Sequence, residues 1–221
     1  MFLKEAIKYS VLPLDDRTLE RLNPALVGRP DLMAGRTSLT VHDGMLGMSE
    51  NVFINTKNRS HVEIPKAGAS GAILAQAGRF GGWSLYLKDG KPTYTYNFLG
   101  LQRFTIAARQ ALPAGNATIR FEFTYDGGGI GKGGEGTLFV NGKSVATGRI
   151  ERTQCCGFSA DEGADVGADE GTPVTEAYRV PFKFTGKIRQ VTIELKEMKK
   201  ADGEEALQGR KAAVLKKGLS D

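Results

Sequence analysis

Hydrophobic and polar residues alternate in several short stretches of this chain. The clearest examples are residues 119–125 and 191–196, where every second side chain is apolar, the period expected of a half-buried β-strand. Asp89-Gly90 and Asn141-Gly142 each separate two strand-like stretches. Both dipeptides favour the type I′ turn, which needs a positive φ at two successive residues. The pattern therefore predicts two β-hairpins within a largely β-structured chain.

Further strands are predicted where short apolar stretches lie between turn residues. They cover residues 60–64, 72–77, 104–107 and 179–184. Many short strands joined by frequent turns favour an all-β fold, in the form of a jelly-roll-like two-sheet sandwich. Its predicted core consists of the apolar and aromatic residues on the inward side of the strands: Ile73, Trp83, Leu85, Leu87, Tyr94, Tyr96, Ile119, Phe121, Phe123, Leu138, Val140, Val191 and Ile193.

Composition divides the chain into three parts. Residues 1–36 hold many apolar residues but also prolines that interrupt any long element, so we interpret this part as a connector that packs on another domain. Residues 37–197 form the predicted sandwich, and a domain of this size buries roughly 70% of its unfolded surface. Residues 198–221 are rich in Ala, Lys and Glu, which predicts a C-terminal helix.

Composition and charge exclude several classes of protein. The 221 residues include 29 glycines without a three-residue period, which excludes collagen. No run of 18 apolar residues is present, so no membrane-spanning helix is expected. The net charge is +5, but basic and acidic residues are mixed along the chain, so neither nucleic acid nor a membrane is expected as a partner. The first residues carry a charge pair where a signal peptide needs an apolar stretch, and the compartment stays open.

A glycine-rich run at residues 127–136 contains the spacing of a nucleotide-binding motif. Gly131, Gly133 and Gly136 satisfy G-x-G-x-x-G, but a dinucleotide site needs a helix after the run, and a strand is predicted there. Gly142-Lys143-Ser144 matches the end of a phosphate-binding loop but lies in a predicted hairpin turn. We interpret the run as a flexible loop, or as backbone that another group approaches closely.

Carboxylates recur every four residues in an acidic stretch at residues 161–171. Asp161, Asp165 and Asp169 alternate there with glycines, and oxygen-rich loops with tight turns suit Ca²⁺. The order of an EF-hand loop is missing. The two interpretations are a calcium site and a solvated acidic loop, and the second is favoured because a metal site needs ligands that converge.

Residues for other chemistry are scarce. His42 and His61 are far apart in sequence, and Cys155 and Cys156 are neighbours, so no catalytic or cofactor-binding residue is predicted. Arg79 precedes an aromatic hairpin with Trp83, Tyr94 and Tyr96. These four residues could form an aromatic, cationic contact face for a sugar or an aryl group. The alternative is that the three rings belong to the core, and their alternation on a hairpin favours this second interpretation.

Several segments resemble, in the same order, the C-terminal region of large bacterial arylsulfatases. They are residues 78–87, 91–97, 121–127, 148–153, 165–167, 171–174 and 181–188. Residues 9–15 resemble the segment that leaves the catalytic domain in that family. The hairpin region is also similar to laminin-G and concanavalin-like jelly rolls, in agreement with the predicted sandwich.

The resemblance implies an accessory domain without its catalytic partner. Sulfatases carry a Cys or Ser in C/S-x-P/A-x-R, matured to formylglycine, and residues 155–159 lack both the Pro and the Arg. The catalytic motif and the family's divalent metal would therefore belong to a sulfatase domain outside this chain, and no catalysis is expected from this chain alone.

Three functions follow as hypotheses. The first is a domain that packs on a sulfatase catalytic domain, in the same polypeptide or a separate one, and shapes its cleft for a sulfated glycan or an aryl sulfate. The second is a free-standing glycan-binding module that uses the contact face at Arg79. The third is a non-functional remnant.

Overall fold

The computed structural model describes residues 2–9, 32–57, 61–63, 66–67, 70–113, 115–154, 157–159 and 161–196. The chain divides into two compact units, Met1–Leu32 and Met33–Asp221. In the first unit, helix α1 covers Phe2–Lys8, with exposed side chains at Leu3 and Ile7. None of the described helices is long and apolar enough to cross a membrane. The predicted C-terminal helix lies outside the described residues.

The described part of the second unit contains twelve strands. They are β1 (Ser38–Val41), β2 (His61–Glu63), β3 (Lys66–Ala67), β4 (Gly71–Gly78), β5 (Gly81–Lys88), β6 (Lys91–Phe98), β7 (Gln102–Ala107), β8 (Ala117–Tyr125), β9 (Gly134–Val140), β10 (Lys143–Ile150), β11 (Ala164–Val166) and β12 (Val191–Leu195).

The strands form two antiparallel sheets. The larger sheet has the order β1-β12-β2-β8-β9-β10, with β3 also paired to β8, and the smaller has the order β11-β4-β5-β6-β7. Antiparallel strands need only short connections, and three successive hairpins build most of the smaller sheet. The predicted jelly-roll-like two-sheet sandwich is thus confirmed.

The predicted hairpin turns have the backbone that their residues require. Asp89 and Gly90 have φ values of 51° and 70°, and Asn141 and Gly142 have values of 49° and 81°. A third turn of this kind, at Leu99-Gly100, was not predicted. Its φ values are 54° and 73°, and leucine in the left-handed region carries no turn signal in sequence.

The core lies between the two sheets and contains all the predicted residues except Val140, which is half-buried near the end of β9. Tyr94 stacks on Phe121 across the sandwich with ring centroids 3.6 Å apart, and Trp83 lies beside Tyr94 at 6.0 Å. Every residue of β4 is buried, and so are nearly all residues of β5 and β6, so these strands of the smaller sheet are covered on both faces.

An irregular segment covers the outer face of the smaller sheet. We call residues 167–184 the strap. The Gly167 amide donates to the Ile73 carbonyl (3.0 Å), and the Ala72 amide to the Phe182 carbonyl (3.1 Å). The predicted strand at 179–184 is wrong, because these residues form no strand ladder and instead lie in the strap.

Candidate functional site

Two hairpin tips lie side by side at one end of the smaller sheet, held by a single side chain. Asn97, fully buried at the end of β6, donates from Nδ2 to the Gly78 carbonyl (2.6 Å) and the Arg79 carbonyl (2.9 Å). Its Oδ1 accepts a hydrogen bond from the Gly100 amide (2.9 Å). The β4–β5 and β6–β7 turns are therefore fixed relative to each other.

Large apolar side chains project from these tips. Phe80 is 76% exposed, Leu101 is 82% exposed and Leu99 is 45% exposed. Single exposed apolar residues are ordinary on a protein surface, but several together mark a contact site. Arg152 lies beside them, because its guanidinium stacks over the ring of Phe98, 5.5 Å from the ring centroid.

We call Arg79, Phe80, Leu99, Leu101 and Arg152 the hairpin-tip surface. Both arginines are exposed, and within the described part of the chain neither forms an ion pair. The Arg79 amide donates to Thr172 Oγ1 in the strap (2.8 Å), so its backbone is anchored while its side chain faces solvent. An arginine of this kind keeps its five donors available to a ligand.

Two other arginines are already neutralised within the protein. Arg103 pairs with Glu176 at 3.0 Å. Arg149 forms a two-pronged ion pair with Asp126, and this hydrogen bonding holds the pKa of the Asp126 carboxyl below its ordinary value. Arg79 and Arg152, by contrast, form no ion pair in the described part of the chain and stay open to an external anion.

The three aromatic residues of the proposed contact face lie in the core. Trp83, Tyr94 and Tyr96 are 0%, 1% and 5% exposed, so they offer no ring face to a ligand at the surface. Their polar atoms are used inside the protein: Trp83 Nε1 donates to Gln76 Oε1 (3.0 Å), and the Tyr96 hydroxyl accepts from the Gln154 amide (2.7 Å). The core interpretation describes these rings, and Arg79 alone of the four reaches solvent.

A small gap remains between the sheets beside these rings. It has room for roughly one water molecule and is lined by Thr56, Lys57, Trp83, Tyr94, Tyr96, Phe123, Ile150 and Thr153. Its size excludes a sugar, so we do not assign it as a ligand site.

Lys57 is an almost fully buried cation that the sequence did not single out. Its side chain is 7% exposed and pairs with Glu50 at 3.1 Å, and its ammonium lies 4.6 Å from the centroid of the Phe158 ring. Glu50 Oε1 in turn accepts hydrogen bonds from the amides of Phe158 (2.5 Å) and Ser159 (3.3 Å). This network attaches residues 157–159 to the loop before β2.

The acidic stretch does not gather its carboxylates at one point. Asp165, on β11, accepts hydrogen bonds from the Gly47 amide (2.6 Å) and the Glu170 amide (3.2 Å). Glu162 accepts from Thr172, while Asp161 is exposed. Among the described residues, no three His, Cys, Asp or Glu side chains are grouped to hold a metal ion. The calcium site therefore stays a prediction without geometric support.

Asp169 is the exception in this stretch because it is buried. It is 1% exposed and accepts a hydrogen bond from the Tyr178 hydroxyl at 2.5 Å. Burial raises the pKa of Asp169 to about 6, although the hydrogen bond from Tyr178 lowers it in part. This residue thus belongs to the interior of the strap and not to a solvated loop.

The remaining sequence candidates have ordinary structural surroundings. The glycine run is organised by the Tyr125 hydroxyl, which donates to the Gly129 carbonyl (2.5 Å) and accepts from the Lys132 amide (3.0 Å). His42 is exposed, with Nδ1 3.3 Å from the Arg189 carbonyl oxygen. Cys155 and Cys156 lie outside the described residues.

No protein-family model matches this chain, and no curated protein is similar enough to match. Solved structures with a similar fold include domains LG4-5 of the mouse laminin α1 chain, at 15% identity, with 73% of this chain and 39% of that chain covered and a TM-score of 0.42. The LG1-3 region of the laminin α2 chain is also 15% identical, with 72% of this chain and 29% of that chain covered and a TM-score of 0.46. The native heptameric SAP-like pentraxin from Limulus polyphemus is 12% identical, with 73% of this chain and 78% of that chain covered and a TM-score of 0.37. The chain spans less than half the length of either laminin structure.

Proposed function

We propose that this chain is a non-catalytic binding module that takes an anionic glycan at the hairpin-tip surface. The observation that carries the proposal is the pair of exposed arginines, Arg79 and Arg152, which form no ion pair in the described part of the chain. Arg79 is next to the exposed Phe80 in the β4–β5 turn, and Arg152 lies over Phe98 at the start of the β6–β7 turn. The β-sandwich supplies the scaffold that holds them.

The chemistry of these side chains suits a sugar that carries sulfate or carboxylate groups. A guanidinium binds such groups through two parallel hydrogen bonds and needs no change of protonation to do so. An exposed aromatic ring packs against the apolar face of a ring-shaped ligand. Because Asn97 fixes the backbone of both tips, the backbone loses little conformational entropy when a ligand binds.

The test is calorimetric titration with a sulfated tetrasaccharide and with its desulfated counterpart. Trp83 is fully buried, so its fluorescence is a poor reporter for binding at the surface. We expect measurable affinity for the sulfated sugar that weakens as salt is added, because the arginines are exposed and screened. Arg79→Ala and Arg152→Ala should each weaken binding by about 5- to 50-fold. This corresponds to a loss of about 1–2.5 kcal/mol of binding free energy, the contribution of one charge-assisted hydrogen bond.

A matched control is Lys143→Ala, which removes one positive charge from the exposed first residue of β10. It should leave the affinity unchanged. An equal loss of affinity in all three variants would show that the sugar responds to net charge and not to a specific site. No binding of the sulfated sugar at millimolar concentration would dismiss the proposal.

A second candidate function is the accessory role on a sulfatase domain that the resemblance implies. It is favoured by the exposed leucines, Leu99 and Leu101, because protein interfaces combine large apolar side chains with arginine. Leu101→Gln separates the two functions. It keeps the two arginines and the Phe80 ring, so it should weaken association with a separately expressed arylsulfatase catalytic domain, measured by sedimentation velocity, more than it weakens glycan binding. Absence of any such association would leave the free-standing module.

A further inference from the structure

A buried polar contact inside the strap fixes the ring that packs on the sheet. The Tyr178 hydroxyl donates to Asp169 Oδ2 at 2.5 Å, and both residues lie within the strap. The Tyr178 ring stacks on Phe182 with centroids 4.5 Å apart and meets the edge of Tyr86, on β5, at 5.1 Å. Asp169 therefore orients the ring that packs the strap onto the outer face of the sheet.

Backbone hydrogen bonds hold the two ends of the strap. The Gly167 amide donates to β4 at Ile73, and the Phe182 carbonyl accepts from β4 at Ala72. The Phe182 amide donates to the Asp169 carbonyl (3.0 Å). Between these ends, the contacts to the rest of the protein involve side chains: Lys88 Nζ donates to the Ala177 carbonyl (2.6 Å), Arg103 pairs with Glu176 (3.0 Å), and Thr172 bonds to Glu162. The packing that Asp169 organises adds to these contacts in holding the middle of the strap.

No cation balances the Asp169 carboxylate in the described part of the chain. The charged groups that act on it are two acids, Asp165 and Glu162, which disfavour its ionised form. Tyr178 and Tyr86 face the same space from the strap and from β5, and burial raises the pKa of both, so both are neutral. Lys183 pairs with exposed Glu170 instead. An ionised Asp169 is thus buried with hydrogen bonds but without a counter-charge, a costly arrangement.

We propose that the strap is a pH-sensitive cover, which grips the sheet most tightly when Asp169 is protonated and opens more readily when Asp169 is ionised. Opening would bare Tyr86 and the buried hydroxyls of Ser84 and Thr95 on the outer face of the sheet. Opening would also disturb the hairpin-tip surface, because the Arg79 amide donates a hydrogen bond to Thr172 of the strap.

The direction follows from proton linkage. Asp169 has a pKa of about 6 in the folded protein and an ordinary value of 3.8 when the strap is open and the residue is solvated. A raised pKa stabilises the closed state below pH 3.8, and this stabilisation is lost as the pH rises through 6. Between pH 5 and pH 7.5 these two values give an increase of about tenfold in the opening constant.

Hydrogen exchange of the full chain tests the proposal. After correction for intrinsic exchange rates, the amides of residues 167–184 should lose protection by about tenfold between pH 5 and pH 7.5, while strands β8 and β9 should keep theirs. Asp169→Asn removes the titrating group and should make strap protection independent of pH. Asp161→Asn, at an exposed acid of the neighbouring loop, should behave as the wild type.

Two results would overturn the proposal: strap protection in the wild type that does not change with pH, or an unchanged pH dependence in Asp169→Asn. Should Asp169→Asn fail to fold, a carboxyl-carbon NMR titration of the wild type decides the question. A midpoint near 6 supports the cover, and a midpoint near 4 refutes it. None of these measurements involves a glycan, so they stand apart from the proposed function.

Discussion

Asn97→Ala is the substitution that tests how the hairpin-tip surface is held together. The change removes two donated hydrogen bonds, to the Gly78 and Arg79 carbonyls, and one accepted from the Gly100 amide. At a net value of about 1 kcal/mol for each bond, the free energy of unfolding should fall by about 3 kcal/mol. For a domain of this size, the melting temperature should then fall by about 6–12 °C.

Urea unfolding followed by circular dichroism, together with calorimetry, measures both quantities. Asn51→Ala is a matched control, because it makes the same truncation at an exposed position of the loop before β2. It should change the free energy of unfolding by less than about 0.5 kcal/mol. If Asn97→Ala were as mild as the control, the reasoning that one buried amide holds the two tips in place would be refuted.

Four further predictions follow. Asp169→Asn should raise the free energy of unfolding at pH 7.5 by about 2–3 kcal/mol, because a folded-state pKa of about 6 makes ionisation of Asp169 costly. In urea titrations at each pH, the free energy of unfolding of the variant should fall less than that of the wild type between pH 4 and pH 6, and a steeper fall would contradict this. Gly82→Ala should destabilise by more than about 2 kcal/mol in calorimetry, because Gly82 has a φ of 141° and its new Cβ would meet the Gln76 carbonyl. Tyr96→Phe should cost about 1–2 kcal/mol in urea, since the buried Gln154 amide loses its acceptor, and a neutral result would show that water replaces the hydroxyl. Phe80→Ser should stay within about 0.5 kcal/mol of the wild type by the same assay, because the side chain is 76% exposed.

The strands and their inward faces could be predicted from the sequence because the signals are local. Alternation at 119–125 repeats the pleat of a strand, and Asn141-Gly142 can adopt the positive φ values of a tight turn without strain. These preferences act between residues that are neighbours in the chain. The β-sandwich and nearly all of its core follow from them.

The hairpin-tip surface could not be predicted because its parts come together only when strands pair. Arg79 was identified from its aromatic neighbourhood, but its companions are Leu99, Leu101 and Arg152, which reach it through the pairing of β4 to β7 and the return of the chain after β10. Nothing in the local sequence distinguishes these residues from other surface leucines and arginines.

The acidic stretch shows most clearly what only tertiary structure decides. In sequence, Asp161, Asp165 and Asp169 are equivalent carboxylates at equal spacing. In the folded protein the first is exposed, the second bonds loop amides, and the third is buried against Tyr178. Composition determined that carboxylates lie here. The path of the strap across the sheet determined which of them stays solvated, and solvation sets the free energy of the ionised carboxylate.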